Sequence, residues 1–304
     1  MTQLLNALPG ALAQGLIWGV MAIGVYITYK VLDIADLTVD GSICTGAAGC
    51  TMLLLGGQSP WLALLCAVLA GVLAGAVTGL LHVGLGIPPI LAGILTQMVL
   101  WSVNLKLLGK ANQALPARTT PVLLSQMDVG GALPVLLGFC VVLVALLVLF
   151  FGTELGCALR ATGCNPVMSR AQGVNTGLMK VVGLALSNGV VALSGALLCQ
   201  YQGYTDVNMG RGAVVIGLAA VVIGQAVLGR RGGRMAVQLG GVILGAVIYY
   251  IVYQVIIFAG FDTDLLKMFS AVVVAVFLGA PHVKAQLKAH SRSKKGDSGH
   301  AENE

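Results

Sequence analysis

The sequence predicts an all-α protein, a polytopic bundle of about nine transmembrane helices. Three observations predict this fold: 58% of the residues are hydrophobic, only 9% are charged, and the mean hydropathy is +0.94. An ordinary soluble domain carries roughly 25% charged residues. The few charges are clustered, so uncharged windows such as 41–105 and 129–153 remain, each of membrane-spanning length. This composition excludes a soluble globular enzyme.

Apolar runs bounded by charge, Pro or Gly predict nine spans with an uncertainty of about one, that is, eight to ten. The predicted spans cover 12–29, 42–56, 61–81, 89–107, 134–152, 181–200, 212–228, 236–258 and 266–280. Residues 1–283 are therefore interpreted as a single transmembrane domain. Residues 284–304 form a polar tail that cannot bury a core and is predicted to be disordered.

The distribution of basic residues predicts the orientation. If the carboxyl terminus is cytoplasmic, 12 of the 17 Lys and Arg residues lie on the cytoplasmic side and five on the other. The positive-inside rule favours that orientation. It places the amino terminus outside for nine spans and inside if one span is miscounted. The first apolar run lacks the basic start of a secretory signal and leads into further spans, so the sequence predicts a multi-pass protein of the bacterial cytoplasmic (inner) membrane.

Enzyme and metal signatures are missing from the sequence. It contains no phosphate-binding loop, no His-Glu-x-x-His and no nucleophile elbow, and its seven dispersed cysteines form no Cys-x-x-Cys pair. The sequence therefore predicts no catalytic residue, no metal site and no cofactor on this chain.

Two polar segments interrupt the apolar pattern, one at 31–41 and one at 200–212. In both, an Asp is followed by apolar and hydroxyl or amide residues and then by Gly: Asp36 leads to Gly41, and Asp206 leads to Gly212. On the predicted topology they lie on opposite membrane faces. Interrupted helices of an inverted repeat have this arrangement and border the substrate path in transporters; chance similarity of two short loops is the alternative.

Polar and aromatic residues within or beside the spans are the candidates for a translocation pathway. An intramembrane amide either bridges two helices or faces an aqueous path, and both interpretations are open for Gln97, Asn104 and Asn188. Trp and Tyr at span ends offer aromatic surface to a solute or act as interfacial anchors. The candidates are Asp36, Asp40, Gln97, Trp101, Asn104, Asn188, Gln200, Tyr201, Asp206 and Asn208.

The densest polar segment between spans, 153–180, is too long for a plain linker. Asn165 and Pro166 predict a helix start, with the Asn side chain as the cap and Pro in the first turn. Gly173 and Asn175 predict its end. The short helix would carry Met168 on an apolar face with Arg170 beside it, which suits docking into a groove of a partner protein.

This segment carries a resemblance to a known family. The run from Ala158 to Asn175, with Arg160, Asn165-Pro166, Ser169-Arg170 and Gly173-Val-Asn175, resembles the cytoplasmic coupling segment of permeases that serve branched-chain amino acid and ribose ABC importers. The stretches 14–48 and 204–224 are similar to the first two spans and the later half of that family. The runs at 34–42, 86–98 and 103–112 are similar to a subgroup, often encoded with a lipoprotein binding protein, of which some members are linked to tryptophan or tyrosine uptake.

The resemblance implies a type II-like ABC importer permease, with a coupling helix inserted into a cleft of a separate ATPase subunit. The residues implied at that contact are Arg160, Asn165, Pro166, Met168, Arg170, Gly173 and Asn175; the alternative for the two arginines is that they only set topology. ATP and Mg would be held by the ATPase. The implied partners are this ATPase, an extracytoplasmic lipoprotein that binds the substrate, a second permease copy as a homodimer, and membrane lipid, with no nucleic acid.

The leading hypothesis is thus a non-enzymatic transport subunit that imports a small solute, expected to be an amino acid and, within that class, an aromatic one such as tryptophan or tyrosine. The alternative is a stand-alone facilitator or ion-coupled secondary transporter, in which Asp36, Asp40 or Asp206 would bind the coupling ion.

Overall fold

The computed structural model describes residues 2–116, 120–228 and 234–258, together with positions 272 and 275. The regular elements among these residues are helices and two short strands. The helices are α1 (Thr2–Tyr26, continued by a π-helical turn at Ile27–Val31), α2 (Val39–Leu55), α3 (Pro60–Gly84), α4 (Pro89–Leu108), α5 (Val129–Gly152), α6 (Glu154–Cys164), α7 (Pro166–Ala171), α8 (Thr176–Gln202), α9 (Ala213–Leu228) and α10 (Met235–Phe258). The strands are β1 (Asn112–Ala114) and β2 (Tyr204–Asp206).

Among the described residues, six helices are long and apolar enough to cross a membrane, so the prediction of a helical multi-pass membrane protein is confirmed. They comprise residues 7–31 and the helices α3, α4, α5, α8 and α10. The spans predicted at 42–56 and 212–228 correspond to the shorter apolar helices α2 and α9. The count of nine is not confirmed, because the span predicted at 266–280 lies outside the described residues apart from positions 272 and 275. The polar tail 284–304 lies outside them as well.

The core is built around α1 and α8. About 78% of the spanning window of each is buried, against 22–39% for α3, α4, α5 and α10. α8 packs against α3 and α2, and α1 packs against α10 and α8. The outer helices expose large apolar side chains such as Leu73, Met98 and Leu149. Lipid tails are as apolar as these side chains, so such surfaces suit a membrane and not water.

The close packing of α3 on α8 depends on a row of glycines at four-residue spacing. A Cβ atom at Gly71 would collide with the carbonyl oxygen of Asn188, one at Gly75 with that of Leu184, and one at Gly79 would lie 2.8 Å from Cα of Val181. The sequence predicts this row as a helix packing surface within the subunit, and the contacts with α8 confirm it.

The two ends of the bundle are distinct. At one end, here called the α7 end, α6 and α7 lie near the start of α8 and the end of α3, where Lys180 Nζ is 3.3 Å from His82 Nε2. At the other, the strand end, β1 pairs antiparallel with β2, with Asn112 opposite Asp206. These strands are not predicted by the sequence, because three residues are too few to show an alternating pattern.

We expect Gly75→Ala to lower the free energy of unfolding by about 1–3 kcal/mol, because the added methyl group must push α3 away from the backbone of α8. Gly138→Ala in α5 is the matched control, since a Cβ atom at that position would have no other atom within 4 Å. Thermal unfolding of the two purified variants in one detergent measures the difference. Equal midpoints would show that α3 and α8 are not in close backbone contact.

Candidate functional site

The two interrupted segments have the same local geometry. The backbone N–H of Thr38 donates to Asp36 Oδ1 at 2.8 Å, and that of Asn208 donates to Asp206 Oδ1 at 2.6 Å. In each case an Asp side chain accepts from the residue two positions later, which is an Asx turn. The similarity that the sequence indicates between these segments is therefore also a similarity of backbone turn.

The segments enter from opposite ends of the bundle and meet inside it. Val31, before the first segment, packs against Gly163 of α6 at the α7 end. Asp36 bonds Asn188, the thirteenth of the 27 residues of α8, so the first segment reaches the middle of the bundle. The second begins at β2 and returns inward until Gly210 packs against the backbone of Asp40. The prediction that the segments lie on opposite faces is correct for their points of entry and wrong for Asp40 and Gly210, because both chains fold back inward.

Asp40 joins the two helices that start there. Its Oδ2 accepts from the N–H of Gly212 at 3.0 Å, and its Oδ1 accepts from the N–H of Val214 at 3.0 Å. A carboxylate in the first turn of α2 thus satisfies the free N–H groups at the start of α9, and both helix dipoles favour its negative charge.

The two helices then run in opposite directions. α2 proceeds to the strand end, where Thr51 and Thr205 are hydrogen-bonded at 2.6 Å. α9 proceeds toward α10, whose Gln238 Oε1 accepts from Tyr26 Oη at 2.6 Å, near the π-helical turn at the α7 end. Two short helices of opposite direction that meet at their amino termini are the geometry that an inverted pair of interrupted helices requires.

A pocket of about 600 Å³ opens beside this junction, bounded by α2, α4 and the segment 207–211. Four of the predicted pathway residues border it: Asp40, Gln97, Trp101 and Asn104. Arg211 and the thiol-bearing Cys44 border it too, together with Gly41, Ile94, Met98, Ser102 and Val207. The spacing of Gln97, Trp101 and Asn104 puts all three on the pocket side of α4, as a helical period requires.

The three amides for which the sequence leaves two interpretations open differ in the structure. Asn188 bridges helices: its Nδ2 donates to Asp36 Oδ2 at 2.7 Å and its Oδ1 accepts from Ser42 Oγ at 2.6 Å. Asn104 is fully buried, and neither its Nδ2 nor its Oδ1 has a hydrogen-bond partner among the described residues. Gln97 is half-buried at the pocket wall. Asn188 therefore has a sufficient structural explanation, and Asn104 has none within the described chain.

The remaining candidates lie outside the pocket. Gln200 is buried, and its Oε1 accepts from the N–H of Leu123 at 3.0 Å. Tyr201 is also buried and borders a separate cavity of about 300 Å³ at the strand end. Asp206 and Asn208 form the Asx turn that leads into the pocket wall. Their role in a pathway stays a prediction.

Arg211 is the residue that sequence reasoning leaves out of the pathway set. Its side chain is exposed, and the guanidinium makes no hydrogen bond or ion pair with any residue that the structure describes; only its backbone N–H is bonded, to the carbonyl of Asn208 at 3.1 Å. The ion pair suggested by its closeness to Asp206 in the sequence is therefore not formed. The signal that could have identified it is its place directly before an interrupted helix, where a charge borders the membrane core.

The polar segment 153–180 contains two short helices at the α7 end. α7 begins as the sequence predicts: Asn165 Oδ1 accepts from the N–H groups of Val167 and Met168 at 3.1 and 3.0 Å, and Pro166 occupies the first turn. Gly173, with φ of +84°, ends it. Asn175 does not act as a stop but caps the next helix, since its Oδ1 accepts from the N–H of Leu178 at 3.1 Å. The preceding helix α6 is not foreseen by the sequence.

α7 presents apolar side chains to the outside. Val167 is 76% exposed and Met168 is 62% exposed, whereas Ser169 on the opposite face is buried. Two arginines hold the segment in place: Arg160 Nη2 donates to the carbonyl of Phe151 at 3.0 Å, and Arg170 Nε donates to Thr176 Oγ1 at 2.8 Å. The segment is thus a platform that side-chain hydrogen bonds anchor to the neighbouring helices, with an apolar tip.

Comparison with known proteins gives one family. A sequence model of the family described as "Branched-chain amino acid transport system / permease component" matches residues 8–280. The chain is similar to a tyrosine transport system permease protein of Clostridioides difficile (strain R20291), with 37% identity over 93% of this chain and 94% of that protein. It is also 33% identical to an uncharacterised protein of Rickettsia prowazekii (strain Madrid E), over 91% and 98% of the two chains.

A more distant relative is an autoinducer 2 import system permease protein of Escherichia coli (strain K12 / DH10B), with 29% identity over 75% of this chain and 66% of that protein. No solved structure matches the chain.

We expect Asp40→Asn to lower the free energy of unfolding by about 1–2 kcal/mol, because an amide nitrogen would face one of the two N–H groups that the carboxylate now satisfies. Asp33→Asn is the matched control: Asp33 is exposed, makes no hydrogen bond within the described chain, and adopts a positive φ of 55° that Asn tolerates well. Thermal unfolding compares the two variants. Loss of stability in Asp33→Asn alone would contradict the role assigned to Asp40.

Proposed function

This chain belongs to the family of branched-chain amino acid transport system permeases, and on that premise we propose that it is the membrane-spanning subunit of an ATP-binding cassette importer for an amino acid. A separate ATPase drives the cycle and holds ATP and Mg. An extracytoplasmic binding protein delivers the solute. The chain itself transports and does not catalyse a reaction.

The observation that carries this proposal is α7. A helix of six residues that leaves Val167 and Met168 largely exposed at one end of a membrane bundle has an unsatisfied apolar tip. Such a tip fits a groove on a partner protein. The platform around it is followed by α8 within five residues, so a displacement of the platform can displace α8 as well. The docking residues that we assign are Arg160, Asn165, Pro166, Met168, Arg170, Gly173 and Asn175.

The distribution of basic residues between the two ends of the bundle supports the proposed orientation in the membrane. Lys30, Arg160, Arg170 and Lys180 all lie at or near the α7 end, while Lys106 and Lys110 lie next to the strand end. The α7 end is therefore assigned to the cytoplasm of a bacterial inner membrane, with the carboxyl terminus on the same side. The binding protein then docks at the strand end. A second copy of the chain completes the permease around a two-fold axis.

Two observations support an aromatic amino acid as the substrate: the pocket, and the similarity to a protein of Clostridioides difficile that is described as a tyrosine transport permease. The exposed indole of Trp101 and the thioether of Met98 give the pocket a large apolar wall beside charged groups. An amino acid with an aromatic side chain combines the same two kinds of surface.

Reconstitution tests the proposal. The full chain is purified from its native membranes, its partners are identified by mass spectrometry, and the recovered complex is placed in liposomes with labelled L-tyrosine or L-tryptophan. We expect an ABC ATPase to copurify and uptake to require ATP and the binding protein. Uptake by the chain alone, without ATP, would overturn the importer and leave a facilitator or an ion-coupled carrier, which a sodium or proton gradient would then distinguish.

We expect Met168→Glu to reduce recovery of the ATPase with the permease at least tenfold, since a carboxylate would have to be desolvated in an apolar groove. Met127→Glu is the matched control: Met127 is 73% exposed but lies before α5 at the strand end, so recovery of the ATPase should stay at the level of the unmodified chain. Quantitative mass spectrometry of the purified complexes gives the ratio. Equal recovery from both variants would remove α7 from the ATPase contact.

A further inference from the structure

The pocket beside the junction of α2 and α9 contains groups that lack partners among the residues that the structure describes. Among those residues, the buried side-chain amide of Asn104 has neither its nitrogen nor its oxygen paired, and the guanidinium of Arg211 forms no hydrogen bond or ion pair. A buried amide without hydrogen bonds lowers the stability of the fold. Packing does not explain the choice of Asn here, because an apolar side chain of similar size would avoid that cost. A ligand that hydrogen-bonds the amide would explain it.

The pocket is bordered by one acidic and one basic side chain, Asp40 and Arg211. The carboxylate of Asp40 uses one lone pair on each oxygen for the start of α9, which leaves further acceptor positions facing the pocket. Arg211 supplies a guanidinium, whose planar fork matches a carboxylate. One negative and one positive side chain therefore border the same space, and a zwitterion can satisfy both.

The opposite wall is apolar. Ile94, Met98 and Trp101 of α4 border the pocket, and Met98 and Trp101 are 65% and 44% exposed. A methionine sulfur and an indole ring both contact aromatic rings favourably. The volume of about 600 Å³ is at the middle of the range for small-molecule sites and exceeds what one amino acid needs.

We propose that this pocket is a substrate-binding site within the membrane subunit itself, which holds one zwitterionic α-amino acid with an aromatic side chain. Arg211 binds the α-carboxylate, Asp40 accepts from the α-ammonium group, Trp101 and Met98 contact the ring, and Asn104 hydrogen-bonds a polar atom of the ligand. This proposal rests on the proposed import of an amino acid, and it adds that the permease, and not only a binding protein, selects the solute.

The test uses the permease with its ATPase in lipid nanodiscs and without the binding protein. Equilibrium binding of labelled L-tyrosine and L-tryptophan is measured, together with competition by tyramine, which lacks the carboxylate, and by L-leucine. We expect saturable binding of at least one of the aromatic amino acids and weaker competition by L-leucine. Absence of such binding in a complex that imports these amino acids would overturn the site.

Arg211→Gln tests the proposed contact with the α-carboxylate separately from the contacts with the rest of the ligand. We expect it to weaken L-tyrosine or L-tryptophan binding at least tenfold and to leave tyramine competition unchanged, because only the carboxylate has lost its partner. Lys110→Gln, which removes an exposed cation close to the strand end but outside the pocket, should leave both unchanged. An equal loss in the two variants would mean that net charge and not a carboxylate contact is responsible.

Asn104→Leu separates binding from stability. We expect weaker binding, by about fivefold or more, with a thermal midpoint equal to or above that of the unmodified chain. A lower midpoint with unchanged binding would show that Asn104 has a structural role only. The outcomes also separate the two proposals. ATP-driven uptake that is indifferent to Arg211 and Asn104 overturns the site alone. Arg211-dependent binding together with uptake that needs no ATP overturns the importer alone.

Discussion

The contact of Asp40 with the start of α9 is the interaction on which the centre of this protein depends. Two short apolar helices begin at the same place, and each leaves free N–H groups in its first turn. One carboxylate satisfies two of those groups through bonds of 3.0 Å to Gly212 and Val214. Without it, irregular backbone inside the bundle would carry unpaired donors. α2 and α9 share this anion because they meet at their amino termini, where both helix dipoles favour a negative charge.

A rigid frame surrounds this junction. α1 and α8 are the most buried of the long helices, and glycines at 71 and 75 let α3 approach the backbone of α8 directly. Asn188 then holds Asp36, so the break after the π-helical turn is tied to the middle of α8. The frame fixes the polar segments in place, while the pocket itself is bordered by α4, the least buried of the long helices. Packing and binding are thus assigned to different helices.

The sequence predicts features that depend on residues close together in the chain, such as the long helices, the start of α7 and the glycine face of α3. Features made by distant residues are not predicted: the bond from Asp40 to Gly212 joins positions 172 residues apart and has no local signature. The same limit applies to the site. An amide side chain in an apolar helix bridges two helices where the second helix supplies a hydrogen-bond partner, and is available to a ligand where it does not. Asn188 has such a partner, and Asn104 has none among the described residues. Arg211 is missed because the nearby Asp206 suggests an ion pair between the two side chains. In the structure the Asp206 carboxylate instead accepts from the N–H of Asn208 in an Asx turn.

The contacts that connect α7 with the pocket explain how one end of such a subunit can act on the other. Asn175 caps α8 directly after α7, and Gly163 of α6 lies against the backbone of Val31. From Val31 the chain leads to Asp40, and α8 reaches the same region through Asn188. Two chains of contacts therefore connect the platform with Asp40, one through α8 and one through the π-helical turn. Under the proposed function, a shift of Asp40 would move the start of α9 beside the pocket, and a ligand bound to Asp40 would oppose that shift. Reciprocity of this kind is required wherever two sites are energetically coupled.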